Sequence, residues 1–315
     1  MKLFALNASA ELGQRIAEQL GRPLASHEER EFSWGEHKVR PLVDVWNEDI
    51  YVVSSLHGDR DYSVNDKVCR LAFFVGALKD AGARQLTAVV PFLAYSRKDR
   101  RTKLHDPVST RYLSTMLQSV GVDRIVTMDV HNPAALDNSL RGPTINIEAR
   151  ELLARHFYRT AGDSVDSILA PDLGGIKATR LFVDIYQDIS GRTLPMSVMD
   201  KRRSEGLVTG TGLIGTAGSH VLIVDDMIGS GTTLCRAADA CLEAGASRVS
   251  VGATHGLFQE GAPKLFAQAG IDSITVTDTV AIENLGLPAE HLERVTVIET
   301  AALFADQLRH MMVKG

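Results

Sequence analysis

One stretch constrains this chain more than any other: Val221-Leu222-Ile223-Val224, then Asp225-Asp226, then Met227-Ile228 and the small-residue turn Gly229-Ser230-Gly231-Thr232-Thr233. Four consecutive apolar residues read as a strand buried on both faces, the pattern of a parallel sheet. Beyond the turn, Leu234, Ala237, Ala238, Cys241 and Leu242 recur at helical spacing, so the turn opens a helix. Its glycines let the backbone approach an anion. The free amides of the helix start and the hydroxyls of Ser230, Thr232 and Thr233 suit a phosphate dianion. Asp225 and Asp226 sit too near to share that phosphate; acceptor-only when ionised, they suit the vicinal hydroxyls of a ribose or a cation beside it.

A chain of 315 residues is long enough for two domains. Its formal charge of -5 argues against a general nucleic-acid binder. Any polyphosphate must therefore be held locally, and two basic clusters exist, Arg97 to Lys103 and Lys201 to Arg203. No apolar run is long enough to cross a bilayer, and the first twenty residues move into an amphipathic helical pattern, so a cytoplasmic location with no membrane partner is expected. Cys69, Cys235 and Cys241 lie in apolar helical patterns without metal-ligand spacing and read as reduced core residues.

The chain repeats itself faintly. Ala77–Ala83 leads into Leu86–Val90 as Ala240–Ala246 leads into Val249–Ala253, and Gly121–Asp129 is echoed by Gly270–Asp278. Alternating helix and strand patterns make each half an α/β unit with a mostly parallel sheet, its ligands beyond the carboxyl ends of the strands. The expected division is 1–145 and 146–299, with a linker near Arg141-Gly142-Pro143 and a final helix, about 300–315, packing back on the first domain. The first repeat is longer than the second by roughly Ser96 to Val108, which holds the larger basic cluster.

The paired acids and the turn after them resemble the fingerprint of the phosphoribosyltransferase superfamily, in which the acids take ribose hydroxyls and the loop takes the 5-phosphate. Five further segments extend the resemblance to ribose-phosphate diphosphokinases, also called phosphoribosyl pyrophosphate synthetases. Phe32-Ser33-Trp34-Gly35-Glu36 resembles that family's adenine-binding element, with Trp34 in place of an aspartate. Arg97-Lys98-Asp99 resembles its basic ATP segment, with Lys98 in place of a glutamine, and Asp129-Val130-His131 ends a strand where the family's histidine helps hold the magnesium-nucleotide. Asp172-Leu173-Gly174-Gly175 resembles its pyrophosphate loop. Asp200-Lys201-Arg202-Arg203 opens a stretch rich in glycine, serine and threonine, running to Gly218, whose composition predicts mobility; it resembles the catalytic flexible loop. Read on residues alone, these segments also fit edge-strand packing, solvated basic loops, a structural histidine and a tight glycine turn.

The resemblance implies two tandem phosphoribosyltransferase-like domains and transfer of the β,γ-diphosphoryl group of ATP to the 1-hydroxyl of ribose 5-phosphate. ATP falls to the first domain through Phe32, Trp34, Gly35, Glu36, Arg97, Lys98, Asp99 and His131. Ribose 5-phosphate falls to the second through Asp225, Asp226, Gly229, Ser230, Gly231, Thr232 and Thr233. Asp172, Leu173, Gly174 and Gly175 take the diphosphate, His131 and Asp172 the Mg2+, and Lys201 and Arg203 the charge of the transferred group. A homo-oligomer, dimer or hexamer, assembled through the first domain is implied as well. Two rivals remain at this point: a phosphoribosyltransferase consuming phosphoribosyl pyrophosphate, and a catalytically silent regulatory relative. Gly229, where the superfamily often carries an acid serving base proton chemistry, counts against a purine transferase.

Overall fold

The computed structural model describes residues 1–200, 212–268 and 270–314. The chain divides into two compact units. The first comprises Met1–Ile147, Thr279–Asn284 and the terminal segment from Glu299; the second comprises Glu148–Asp278 and Leu285–Ile298.

Along the first unit run β1 (Lys2–Ala5), α1 (Ala10–Leu20), β2 (His27–Glu31), β3 (His37–Pro41), β4 (Asp49–Val53), α2 (Val64–Asp80) and β5 (Gln85–Val90). They are followed by α3 (Ser109–Ser119), β6 (Arg124–Met128), α4 (Pro133–Asp137) and β7 (Thr144–Ile147). Five strands form a parallel sheet in the order β1-β4-β5-β6-β7, while β2 and β3 make a separate antiparallel hairpin. Ile50, Val52, Leu86, Ala88, Val90 and Ile125 are buried with Leu71, Phe74, Val75 and Leu78 of α2, which explains the near-continuous apolar runs of these strands.

The second unit carries α5 (Arg150–Ala161), β8 (Ser167–Ala170), α6 (Ile176–Ser190), β9 (Met196–Met199), β10 (Leu213–Ile214), β11 (His220–Ile228) and α7 (Thr232–Glu243). Then come β12 (Arg248–Gly256), α8 (Pro263–Ala267), β13 (Ile271–Thr277), α9 (Ala289–Leu292) and β14 (Val295–Ile298), and the chain ends in α10 (Ala301–Lys314). The seven strands order as β10-β9-β8-β11-β12-β13-β14, all parallel except β10. Helix α10 packs on α1, within the first unit.

Both sheets contain the same series. The order β1-β4-β5-β6-β7 matches β8-β11-β12-β13-β14, and α1, α2 and α3 follow β1, β4 and β5 as α6, α7 and α8 follow β8, β11 and β12. The repeat read from the sequence is therefore a repeat of topology, and the α/β class with mostly parallel sheets is as expected.

Three local expectations change. Arg141–Pro143 is not a linker: it is a turn inside the first unit, because β7 follows it and pairs with β6. Gly142 is required there, since a Cβ would stand 1.9 Å from the carbonyl oxygen of Asp123. The glycine-rich stretch from Ser204 lies outside the described residues as far as 211, and beyond it Leu213–Ile214 pairs antiparallel with β9. Cys69, expected in the core, is exposed on α2, while Cys235 is half-buried and Cys241 buried.

Candidate functional site

In the second unit, β11 does not stop at its apolar run. It continues through both acids to Ile228, with Asp225 opposite Ala253 and Met227 opposite His255 of β12. The connection to α7 is then only Gly229, Ser230 and Gly231. Gly231 is the N-cap of α7 with φ 76, a left-handed conformation open to glycine at little cost, and a Cβ there would meet Leu265 Cβ at 2.7 Å. No side chain caps α7, so its first amides keep their capacity for an anion. The hydroxyls of Ser230 and Thr232 lie 3.1 Å apart at that end.

The related position in the first unit is built in the opposite sense. After β4, helix α2 begins at Ser63, whose side chain accepts from the Asp66 amide while the Asp66 carboxylate accepts from the Ser63 amide, a complete capping box. Its leading amides are satisfied within the chain, and a carboxylate stands where an incoming anion would have to sit. Of the two related strand-to-helix turns, only the one after β11 is suited to phosphate.

Asp225 is held well above the ordinary carboxylate range, first because it is withdrawn from water and then because the Asp226 charge faces it, with Asp172 adding to the repulsion. The backbone amide of Asp226, 2.9 Å from Asp225 Oδ1, offsets only part of this. Such a carboxyl gains from hydroxyl donors or a cation. The influence of Asp172 brings the β8 loop to the same strand ends. There Asp172 Oδ1 accepts from the amides of Gly174 (2.9 Å) and Gly175 (3.2 Å), and Leu173 is exposed. A diphosphate using those two amides would have to displace the carboxylate.

In the first unit the segment after β5 folds back on α3. Tyr95 has φ 60, and its carbonyl accepts from Thr110 Oγ1 (2.9 Å) and the Lys98 amide (3.1 Å). Arg97 and Lys98 are left exposed. Asp99, 6% exposed, accepts from Asn132 Nδ2 at 2.6 Å and lies 3.9 Å from His131 Nδ1, so the β5 and β6 loops meet through this carboxylate. Asn132 was not singled out in the sequence. Its side chain also caps α4 through the Ala135 amide, and the Asn-Pro pair at 132–133 was the available signal.

Phe32 to Glu36 form the tip of the β2–β3 hairpin, closed by bonds from the Phe32 amide to the Glu36 carbonyl (2.8 Å) and from the Gly35 amide to the Phe32 carbonyl (2.9 Å). Gly35 has φ 90. Lys201 and Arg203 lie outside the described residues. A second residue missed by the sequence reading is Gln259, whose amide donates to the Gly229 carbonyl at 3.1 Å. Among the described residues, no group of three or more His, Cys, Asp or Glu side chains is placed to hold a metal ion. No helix among them is long and apolar enough to cross a membrane.

Two family models match the chain. Residues 1–121 match the N-terminal domain of ribose phosphate pyrophosphokinase, and residues 192–314 match the phosphoribosyl synthetase-associated domain. The ribose-phosphate pyrophosphokinase of Pasteurella multocida (strain Pm70) is 32% identical over 99% of this chain and 96% of its own length. That of Vibrio vulnificus (strain YJ016) is 33% identical over 99% and 96%. The crystal structure of phosphoribosylpyrophosphate synthetase from Mycobacterium smegmatis superposes with a TM-score of 0.87 at 28% identity, covering 100% of this chain and 99% of the other. Matched along its whole length in both sequence and fold, the chain belongs to the ribose-phosphate pyrophosphokinase family.

Proposed function

We propose that the protein transfers the β,γ-diphosphoryl group of ATP to the 1-hydroxyl of ribose 5-phosphate, forming phosphoribosyl pyrophosphate and AMP. The sugar oxygen attacks the β-phosphorus, the bond from that phosphorus to the α,β-bridging oxygen breaks, and AMP leaves. The observation that carries this reading is the contrast between the two strand-to-helix turns: an uncapped α7 beside paired acids, against the side-chain-capped α2. It favours the sugar phosphate at Gly229–Thr233, with the ribose hydroxyls on Asp225 and Asp226.

The nucleotide is assigned to Phe32, Trp34, Gly35, Glu36, Arg97, Lys98, Asp99 and His131. The diphosphate is assigned to the Asp172–Gly175 loop, and Lys201 and Arg203 neutralise charge on the transferred group and on leaving AMP. Mg2+ would arrive with the phosphates: in the second unit Asp172 would offer hard oxygen and a cation nearby would relieve the repulsion that raises Asp225, while in the first unit His131 would offer a nitrogen. When bound, the ion would supply Lewis-acid withdrawal of charge from the phosphates. Positioning and electrostatic stabilisation supply most of the rate in this class of transfer, so no covalent enzyme intermediate is needed. The protein acts in this reading as a cytoplasmic homo-oligomer, dimer or hexamer, with no nucleic-acid or membrane partner.

The test is AMP release from ATP, Mg2+ and ribose 5-phosphate, with Lys201→Ala as comparison. Turnover in the variant should fall on the order of a hundredfold or more, the loss seen when one preorganised charge donor is removed. Nucleotide formation from phosphoribosyl pyrophosphate and a free base, without AMP release from ATP, would assign the protein to the transferases instead. Failure of both reactions would leave the silent relative.

A further inference from the structure

One side chain outside the nucleotide assignment above, on which this inference rests, joins the β5 and β6 loops, which hold Arg97, Lys98, Asp99 and His131. Thr110 fixes the start of the β5 loop: its Oγ1 donates to the Tyr95 carbonyl at 2.9 Å and its amide to the Lys98 carbonyl at 3.3 Å. Asp99, the next residue, is fixed from the other side. Its carboxylate accepts from Asn132 Nδ2 at 2.6 Å, its one hydrogen bond among the described residues, and no lysine or arginine among them pairs with it. A carboxylate only 6% exposed and held by a single neutral donor depends on that donor, because burial has removed the water that would replace it.

The two ends of the Asn132 side chain do different things. Oδ1 accepts from the Ala135 amide at 3.1 Å and caps α4, while Nδ2 crosses to Asp99. The cap needs only an acceptor close to the backbone, which serine or aspartate supplies as well. The bond to Asp99 needs a donor at the full reach of the side chain. The same Asp99 oxygen lies 3.9 Å from His131 Nδ1, so the carboxylate that Asn132 holds is also the neighbour of the assigned histidine.

We infer that Asn132 is a positioning residue for the nucleotide: through Nδ2 it sets where Asp99 stands relative to His131, and it acts through Asp99. Without that donor the carboxylate turns toward water, and the two loops lose the point they share. The nucleotide then meets a site in its binding arrangement for only part of the time, and apparent affinity falls by that fraction.

The experiment compares the parent with Asn132→Ser, Asn132→Asp and Asn132→Ala, measuring KM for ATP and for ribose 5-phosphate by AMP release, together with the thermal midpoint. Serine and aspartate keep the α4 cap and lose the donor; alanine loses both. Serine is too short to reach Asp99, and aspartate sets a like charge against it. KM for ATP should rise about tenfold in Asn132→Ser, in the range of a lost hydrogen bond to a charged group, and further in Asn132→Asp. Asn132→Ala should match Asn132→Ser in KM for ATP although its midpoint is lower, because KM follows the donor and the midpoint also follows the cap. KM for ribose 5-phosphate should stay at the parent value throughout. A parent-like KM for ATP in Asn132→Ser and Asn132→Asp overturns the inference, as does a parallel rise in both Michaelis constants. Should the parent release no AMP, calorimetry with ATP and Mg2+ makes the same comparison. Weaker ATP binding in both capped variants would then support the inference while the proposed reaction falls, and equal dissociation constants would overturn it.

Discussion

Lys67 Nζ lies 2.6 Å from Asp59 Oδ2, in side chains only 2% and 5% exposed, just beyond the strand end of the first unit that corresponds to the acid pair of the second. The ammonium also stands 3.4 Å from His57 Nε2, and His57 Nδ1 is 3.2 Å from Ser55 Oγ, which donates to the carbonyl of Thr279. Where the related strand end of the second unit carries Asp225 and Asp226, the first carries this buried ion pair. Burial holds the Lys67 ammonium below its ordinary range. Burial pushes the Asp59 carboxyl up, but the bonds from Lys67 and the Tyr62 amide outweigh it and bring it below.

Lys67→Met should consequently destabilise the first unit by about 3–5 kcal/mol, because it leaves a buried carboxylate uncompensated. The double variant Asp59→Leu/Lys67→Met should recover most of that loss. Urea denaturation followed by circular dichroism measures both; a harmless single variant would mean that the pair is solvated in solution.

Asp225 sets activity against stability. Its folded pKa is raised by burial first, then by Asp226 and Asp172. A raised acid contributes stability that is fully present below its unfolded pKa and lost as pH rises through the folded value. Above its unfolded range the Asp225 carboxyl is therefore a cost to the fold. Asp225→Asn, which keeps an oxygen for the Asp226 amide, should raise the thermal midpoint at pH 7 and weaken ribose 5-phosphate binding. A lowered midpoint would contradict this account of the acid pair.

Gly231→Ala should damage the turn twice over, through the left-handed φ of 76 and through the approach to Leu265 at 2.7 Å. The cost is about 1–3 kcal/mol, and the Michaelis constant for ribose 5-phosphate should rise more than that for ATP. Equal changes in the two constants would detach this turn from the sugar phosphate.

His220 begins β11 with Nδ1 3.1 Å from Ser164 Oγ and Nε2 2.8 Å from Ser250 Oγ. Burial first, then Arg248, lowers its pKa below 6.5. The folded unit holds it neutral, so its contribution is complete above pH 6.5 and is lost as pH falls through the folded value. The stability of the parent should drop across that acidic window, and His220→Gln should flatten the drop. Parallel pH profiles for the two proteins would exclude His220 as the group responsible.

Much of this protein was determined by the sequence alone, because the signals involved are local. Apolar runs such as Val221–Val224 specify strands buried on both faces, and Ala77–Ala83 and Ala240–Ala246 punctuate helix and strand at the same spacing, so the tandem α/β plan and the family were legible. The turn Gly229–Thr233 was legible for the same reason. What the tertiary structure decided depends on residues distant in the chain. The carboxylates of Asp172 and Asp225 become neighbours only when β8 and β11 align, and the raised pKa follows from that approach and from burial. Asp99 reaches Asn132 and His131 only because β5 and β6 are adjacent. Phe32 and Trp34 could be read as aromatic, but not as a closed stack whose indole N–H holds Glu36. That Lys67 and Asp59 pair in the first unit at the place where the second carries Asp225 and Asp226 rests on burial and charge pairing, which one-dimensional order does not encode.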